Sequence, residues 1–240
     1  MIILLSPAKT FSKIKVTSEN KPLFNEDASY LISKLKKLSV LSIHRKMKIS
    51  KDLAQKTYDY YQTFGNESLR AIYAYDGYAY KGLDVFSLNE KALSYMKNHL
   101  YILSGLYGLL RPYDGISYYR LEMQDQTILN LYRYWKKKIN DYMNQQHPNE
   151  WIINLASHEY SKIIEPSKHV LTISFLQKMN GQYKTISMHA KKARGMMAKH
   201  LISNPIDDVS KIKSITFDGY HYDEHLSNTF EYVFTKELTL

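Results

Sequence analysis

The sequence predicts a layered α/β (α+β) domain in which a central mixed sheet is surrounded by helices. Three observations lead there. Short, almost continuously apolar runs, such as Ile2-Ile-Leu-Leu5 and Trp151-Ile-Ile-Asn-Leu155, suit strands buried on both faces. Longer segments between them carry apolar residues at helical spacing and begin with Ser or Asn, the residues that cap helices. A late Asn180-Gly181 pair marks a tight hairpin, so antiparallel strands must join the parallel ones.

Each element follows from its own residues. The run over 2–5 ends at Ser6-Pro7 and reads as a strand rather than a helix. Asn25 is placed to cap a helix reaching about Leu38, with Leu31, Leu35 and Leu38 on one face, and Ser39 and Ser50 are placed to cap two more that end before Gly65. Residues 71–75 read as a strand entering a turn at Asp76-Gly77, and Ser87 as the cap of a helix reaching about His99. A strand over 101–103 then runs into Ser104-Gly-Leu-Tyr-Gly108. Two glycines three apart suit neither helix nor strand interior, so they mark a tight connection whose amides can hold an anion or simply join two packed elements.

Beyond the turn-rich stretch 118–123, a helix over 130–146 is amphipathic through Leu131, Tyr134, Trp135, Ile139 and Tyr142. Strands are expected over 151–155 and 170–175, with Ser157 capping a short helix between them. The Asn180-Gly181 turn leads into 183–187, and a helix from Met188 to about Ser203 is stopped by Pro205. Residues 214–217 are expected to pair with a terminal strand near 230–234.

Composition narrows the function. With 240 residues and 44% hydrophobic content the chain can bury a sizeable core, and the absence of linker, repeat or low-complexity tract favours one domain over 1–240. The apolar opening is too short for a signal peptide and no run approaches a membrane span, so a cytoplasmic protein with no membrane partner is expected. Without cysteine there is no disulfide framework, no thiolate-held iron–sulfur cluster and no peroxidatic thiol. A net charge of +10 favours a polyanionic partner. Lys34, Lys36, Lys37, Arg45, Lys46, Lys48, Lys51 and Lys56 stand against one acid, Asp52, within 34–56. Residues 184–199 hold Lys184, Lys191, Lys192, Arg194 and Lys199 with no acid. Such runs read equally as solvated helix faces and as surfaces that track phosphates.

Candidate chemistry gathers at strand ends. Lys9 emerges just past the first buried strand, while Ser104-Gly105 and Asn154-Leu-Ala-Ser157 mark the ends of two others, where ligands collect in sheets covered by helices. Each serine could equally cap the next helix and Lys9 could simply be exposed. Arg111 and Arg120 offer donor forks for a phosphate, with Glu122 either positioning an arginine or pinning a loop. Lys191, Lys192 and Arg194 flank the packed face Ala190, Ala193, Met197, Leu201 near a helix N-terminus, a good place for an anion. His221-Tyr-Asp-Glu-His225 lacks an identifiable third ligand, so neither a metal nor a cofactor is expected; P-loop, dinucleotide and nucleophile-elbow motifs are absent.

Taken in order, Leu4-Leu-Ser-Pro-Ala-Lys-Thr10, Leu103-Ser-Gly-Leu-Tyr-Gly-Leu-Leu-Arg-Pro112, Tyr119-Arg-Leu-Glu-Met123, Asn154-Leu-Ala-Ser-His-Glu-Tyr160 and Ala190-Lys-Lys-Ala-Arg-Gly195 resemble the YaaA family of bacterial peroxide-stress proteins, nearly end to end. The resemblance implies a compact sheet-and-helix domain with a helix-hairpin-helix-like element, a basic cleft linked to DNA, and a role in limiting free intracellular iron. On this chain the resemblance puts the hairpin at residues 104–108, although the usual signature spaces its glycines two apart. Double-stranded DNA, bound without sequence preference, is therefore the expected partner of a monomer, through Ser104, Gly105, Gly108, Lys191, Lys192 and Arg194. The alternative is an enzyme acting on a nucleotide-like or phosphorylated small molecule in a cleft of Lys9, Arg111, Arg120, Glu122, Asn154, Ser157 and Lys191.

Overall fold

Ile2, Ile3, Leu4 and Leu5 lie fully inside the protein on an inner strand of an eight-stranded sheet, as a run with no polar face must. The computed structural model describes residues 1–166 and 169–237. In chain order these form β1 (Ile2–Leu5), β2 (Thr10–Phe11), α1 (Asn25–Leu35), α2 (Val40–Met47), α3 (Lys51–Gln62), β3 (Leu69–Arg70), α4 (Ala71–Ala74), β4 (Tyr75–Asp76), α5 (Tyr78–Leu83) and α6 (Glu90–His99). There follow β5 (Leu100–Ser104), β6 (Gly108–Leu110), β7 (Gly115–Ile116), α7 (Leu131–Gln146), β8 (Ile152–Asn154), α8 (His158–Ser161), β9 (Val170–Met179), β10 (Gln182–Lys184), α9 (Ser187–Ser203), β11 (His221–Asp223) and β12 (Glu231–Glu237).

The large sheet has the order β11-β12-β9-β8-β1-β5-β6, with β10 paired to β9. Its five inner strands are parallel, and β6, β10 and β11 are antiparallel additions. The chain leaves β1, reaches β5 on one side, and later returns to place β8 on the other. Strand order therefore reverses between β1 and β8, the position at which open α/β sheets form a crevice at the strands' carboxyl ends.

Local signals placed many elements. Ser39 accepts a hydrogen bond from the Ser42 amide, Ser50 from Leu53 and Asn130 from Arg133, each satisfying a donor that a helix start leaves free. Asn180 and Gly181 both adopt positive φ and join β9 to β10.

Three expectations are corrected. Residues 71–75 are mostly one helical turn, α4, because the amides of Ala71 and Ile72 are taken by the carbonyls of Asp114 and Pro112 instead of by a strand partner. The cap of α6 is Asn89, which accepts from the Ala92 amide, while the Ser87 hydroxyl donates back to the Asp84 carbonyl within a 3₁₀ turn. Residues 209–214 form another 3₁₀ turn, so β12 pairs with β11 and, in parallel, with β9.

The glycine pair at 104–108 joins two strands, β5 and β6, not two helices. A Cβ on Gly108, whose φ is +69°, would come within 2.6 Å of the Trp135 ring, and one on Gly105 within 2.4 Å of the Leu121 carbonyl oxygen. Trp135 is fully buried against this turn and donates its indole N–H to the Gly105 carbonyl at 2.9 Å. Ser104, Gly105 and Gly108 thus serve packing and cannot face a nucleic acid in the folded chain.

Candidate functional site

A cavity of about 360 Å³ opens at the carboxyl ends of β1 and β8, where the strand order reverses. Residues 6–10 beyond β1 form one wall and residues 76–81, from the end of β4 into α5, another. Leu155, Ser157, Glu159 and Tyr160 beyond β8 form the third, and Lys191 and Arg194 of α9 complete it.

The walls are tied to one another. The Ser157 amide donates to the Ser6 hydroxyl at 2.8 Å, joining the loops after β1 and β8. Tyr80 donates its phenol to the Ser6 carbonyl at 3.0 Å, and pairing of β2 with β4 sets Thr10 beside Asp76. Two glycines let α5 and α9 touch backbone to backbone. A Cβ on Gly82 would lie 2.2 Å from the Lys192 carbonyl oxygen, and one on Gly195 would lie 1.8 Å from that of Ala79. This crossing holds residues 76–81 against Lys191 and Arg194. Behind it, the Tyr75, Tyr119 and Ser104 hydroxyls form a buried chain with 2.7 Å links. Burial pushes the Tyr75, Tyr80 and Tyr160 phenols well above their ordinary pKa, so they stay neutral.

Charge is distributed unevenly around the cavity. Lys9 is paired: its Nζ lies 2.7 Å from Glu122 Oε2, and the other oxygen of that carboxylate takes Arg120 at 3.1 Å. Arg194 differs, since its Nε is buried without a hydrogen-bond partner and no carboxylate lies within ion-pair distance of it among the described residues. Burial lowers its pKa from the usual arginine value. Glu159 is held above the usual carboxylate range, first by burial and then by repulsion from Glu122.

Of the residues singled out in the sequence, Lys9, Ser157, Lys191 and Arg194 meet at this cavity, and Arg120 and Glu122 reach it through Lys9. Two others do not. Arg111 binds Asp114 and the Lys21 carbonyl, pinning its own turn. Asn154 spends its side chain on Thr172 and on the Ala156 amide, facing a neighbouring cavity. Lys192 is exposed, with its carbonyl packed on Gly82. Sequence reasoning missed Glu159, Tyr80 and the wall 76–81; Asp76-Gly77 signalled a turn but not what the turn would face.

The 221–225 segment does not gather ligands. His221 Nε2 lies 3.3 Å from Thr235 Oγ1, and Asp223 accepts the amides of His225 and Leu226. Among the described residues no three His, Cys, Asp or Glu side chains converge as a metal site.

A second basic region lies on α2 and α3. Three residues join these helices: Lys48 in the left-handed region at φ 53°, Ile49 folded inward against the core, and Ser50 capping α3. Ile43, Ala54, Thr57 and Tyr61 face the core, and the Tyr61 hydroxyl donates to the Arg120 carbonyl. Arg45, Lys46, Lys48, Lys51 and Lys56 stand in solvent with Asp52 and Asp59 the only acids on the pair.

The profile of a family described as peroxide stress protein YaaA matches residues 1–226. A UPF0246 protein of Crocosphaera subtropica is 40% identical over 253 residues, covering 98% of this chain and 100% of its own length. One from Francisella philomiragia is 40% identical over 98% of this chain and 100% of its own, and one from Clostridium beijerinckii 40% identical over 99% and 98%.

Proposed function

Since this chain belongs to the YaaA family of peroxide-stress proteins, we propose that it serves that response in the cytoplasm by binding double-stranded DNA without sequence preference and by lowering free iron. The observation that carries the DNA reading is the α2–α3 pair. Its hairpin of Lys48, Ile49 and Ser50 lies among five solvent-facing bases, Lys48 included, and the Lys51 and Asp52 amides at the start of α3 have no intrahelical acceptor, while that of Leu53 is capped by Ser50. Amides and cations of this kind engage phosphates and leave base edges unread. On this reading the helix-hairpin-helix-like element is residues 40–62, and the turn at 104–108, which is buried, is not part of it.

Lowering iron suits the same response, because ferrous ions convert peroxide into hydroxyl radical. A chain without cysteine has no thiol with which to reduce the oxidant itself. The purified protein is therefore expected to leave hydrogen peroxide unconsumed in a metal-free assay, while cells carrying it show less labile iron by electron paramagnetic resonance than cells lacking it. Stoichiometric peroxide loss would overturn this part of the proposal.

Fluorescence anisotropy with a labelled duplex tests the DNA reading. Each phosphate neutralised contributes about −0.9 to the slope of log affinity against log salt. Lys48→Glu with Lys51→Glu is expected to weaken binding by tenfold or more and to flatten that slope by about two contacts' worth. The same charge change at Lys13 and Lys15 serves as the control and is expected to cost less. Equal losses from the two pairs would mean that net charge alone governs binding.

A further inference from the structure

We propose that the cavity at the carboxyl ends of β1 and β8 binds a small molecule bearing a phosphate group and an apolar or aromatic body, with Arg194 as the anion anchor and Lys191 at the rim. The proposal does not depend on the DNA reading; it rests on a different part of the molecule.

Arg194 carries the argument. A guanidinium taken out of water normally keeps a carboxylate or several carbonyls for its donors, because an uncompensated buried charge is costly. Arg194 has neither: its Nε is buried and unpartnered among the described residues. Glu231 lines the adjoining cavity that Arg194 also borders, but its carboxylate accepts from Ser174. An anion in the cavity would supply what the fold withholds.

Lys191 stands three residues earlier on α9, on the same side of the helix, and among the described residues it too has no ion pair. A fork-shaped cation and a point cation converging from one face match a doubly charged phosphate better than a single carboxylate. Lys9 completes the cationic wall while already paired with Glu122. The remaining surface comes largely from Pro7, Ala8, Tyr78, Leu155 and Tyr160, which favour an apolar or planar body. Asp76 and Glu159 line the same space and would repel a ligand whose charge is spread along its length, confining the anion to the α9 side. At about 360 Å³ the cavity lies in the range of small-molecule sites and is closed to a duplex.

Phenyl phosphate is a probe with both parts, and inorganic phosphate and phenol supply one part each. Isothermal titration of the full chain, checked by ³¹P line broadening, is expected to rank phenyl phosphate above inorganic phosphate, with phenol undetectable. Arg194→Gln should weaken phenyl phosphate at least tenfold and leave duplex DNA binding within twofold. Circular dichroism establishes whether that variant folds; if it does not, Lys191→Gln, an exposed substitution, decides, with a several-fold loss expected. Failure of the wild-type chain to bind either phosphate compound would overturn the proposal, as would undiminished binding by the folded variants. If the folded variant loses DNA and phenyl phosphate alike, the cavity is not a separate small-molecule site and the proposal fails while the DNA reading stands.

Discussion

On α2 and α3, five bases stand in water, where a charge stays hydrated and its attraction for an anion is screened within about 10 Å at moderate salt. At the strand ends, Arg194 is only partly exposed, its Nε is buried, and among the described residues no carboxylate meets it. The two regions carry the same sign of charge and differ in what holds it. A hydrated basic surface suits any polyanion and yields to salt, whereas a desolvated arginine in a walled cavity acts over a short range on a ligand of matching shape. Counting lysines and arginines along the chain cannot separate the two, since Arg194 sits in a basic run no less than Lys48 does.

The comparison breaks first at the helix crossing that builds the cavity. Gly195→Ala would drive a Cβ into the Ala79 carbonyl, and neither backbone has room to yield. Overpacking of this kind costs roughly 1–3 kcal/mol and more where backbone meets backbone, so this substitution should give the largest loss of stability in urea unfolding and abolish phenyl phosphate binding. Gly181→Ala, with open space but φ of +77°, should cost only about 1–2 kcal/mol of left-handed strain and leave the probe bound.

Ser50→Ala acts on the other region. Losing the cap on α3 costs about 1 kcal/mol and frees the hairpin, so DNA affinity should fall several-fold while phenyl phosphate binding is unchanged. A parallel fall in both would show that the two regions are one surface.

The smallest effect concerns Glu159. Its pKa is raised in the folded chain, so the stability it contributes is fully present below its unfolded value, about 4.3, and is lost as pH rises through the higher folded value. Glu122, Asp125 and Lys9 face this carboxyl, the first two opposing its charge and the last favouring it. Glu159→Gln should therefore stabilise the chain at pH 7 by at most about 1 kcal/mol, since the group is only half buried and water screens part of the cost. The gain should vanish near pH 4 in the same unfolding assay. A gain that persists there would mean that packing, not ionisation, is responsible.

Where the determining interaction is local, the sequence was legible. The run 2–5 could only be a buried strand, and Ser39, Ser50 and Asn130 capped the helices they preceded because a cap needs nothing beyond its own first turn. Residues 71–75 misled because their amides are claimed by Asp114 and Pro112, some forty residues away. The site divides the same way. Lys9, Ser157 and Lys191 could be suspected from strand ends and motif order, but the wall at 76–81 depends on Gly82 and Gly195 meeting α5 and α9 across more than a hundred residues. The Gly105–Gly108 turn misled for the opposite reason. Glycines that expose an amide and glycines that admit an indole look identical until Trp135 is folded against them.

That indole also gives the protein an optical handle. The chain has two tryptophans: Trp135 is fully buried over the β5–β6 turn, and Trp151 is partly exposed, edge-on to His169 at 5.6 Å. Their emission should therefore differ in wavelength, with Trp135 the bluer of the pair and shielded from aqueous quenchers. In a Trp151→Phe background, the remaining signal reports, without any attached dye, whether the turn at 105–108 is still seated.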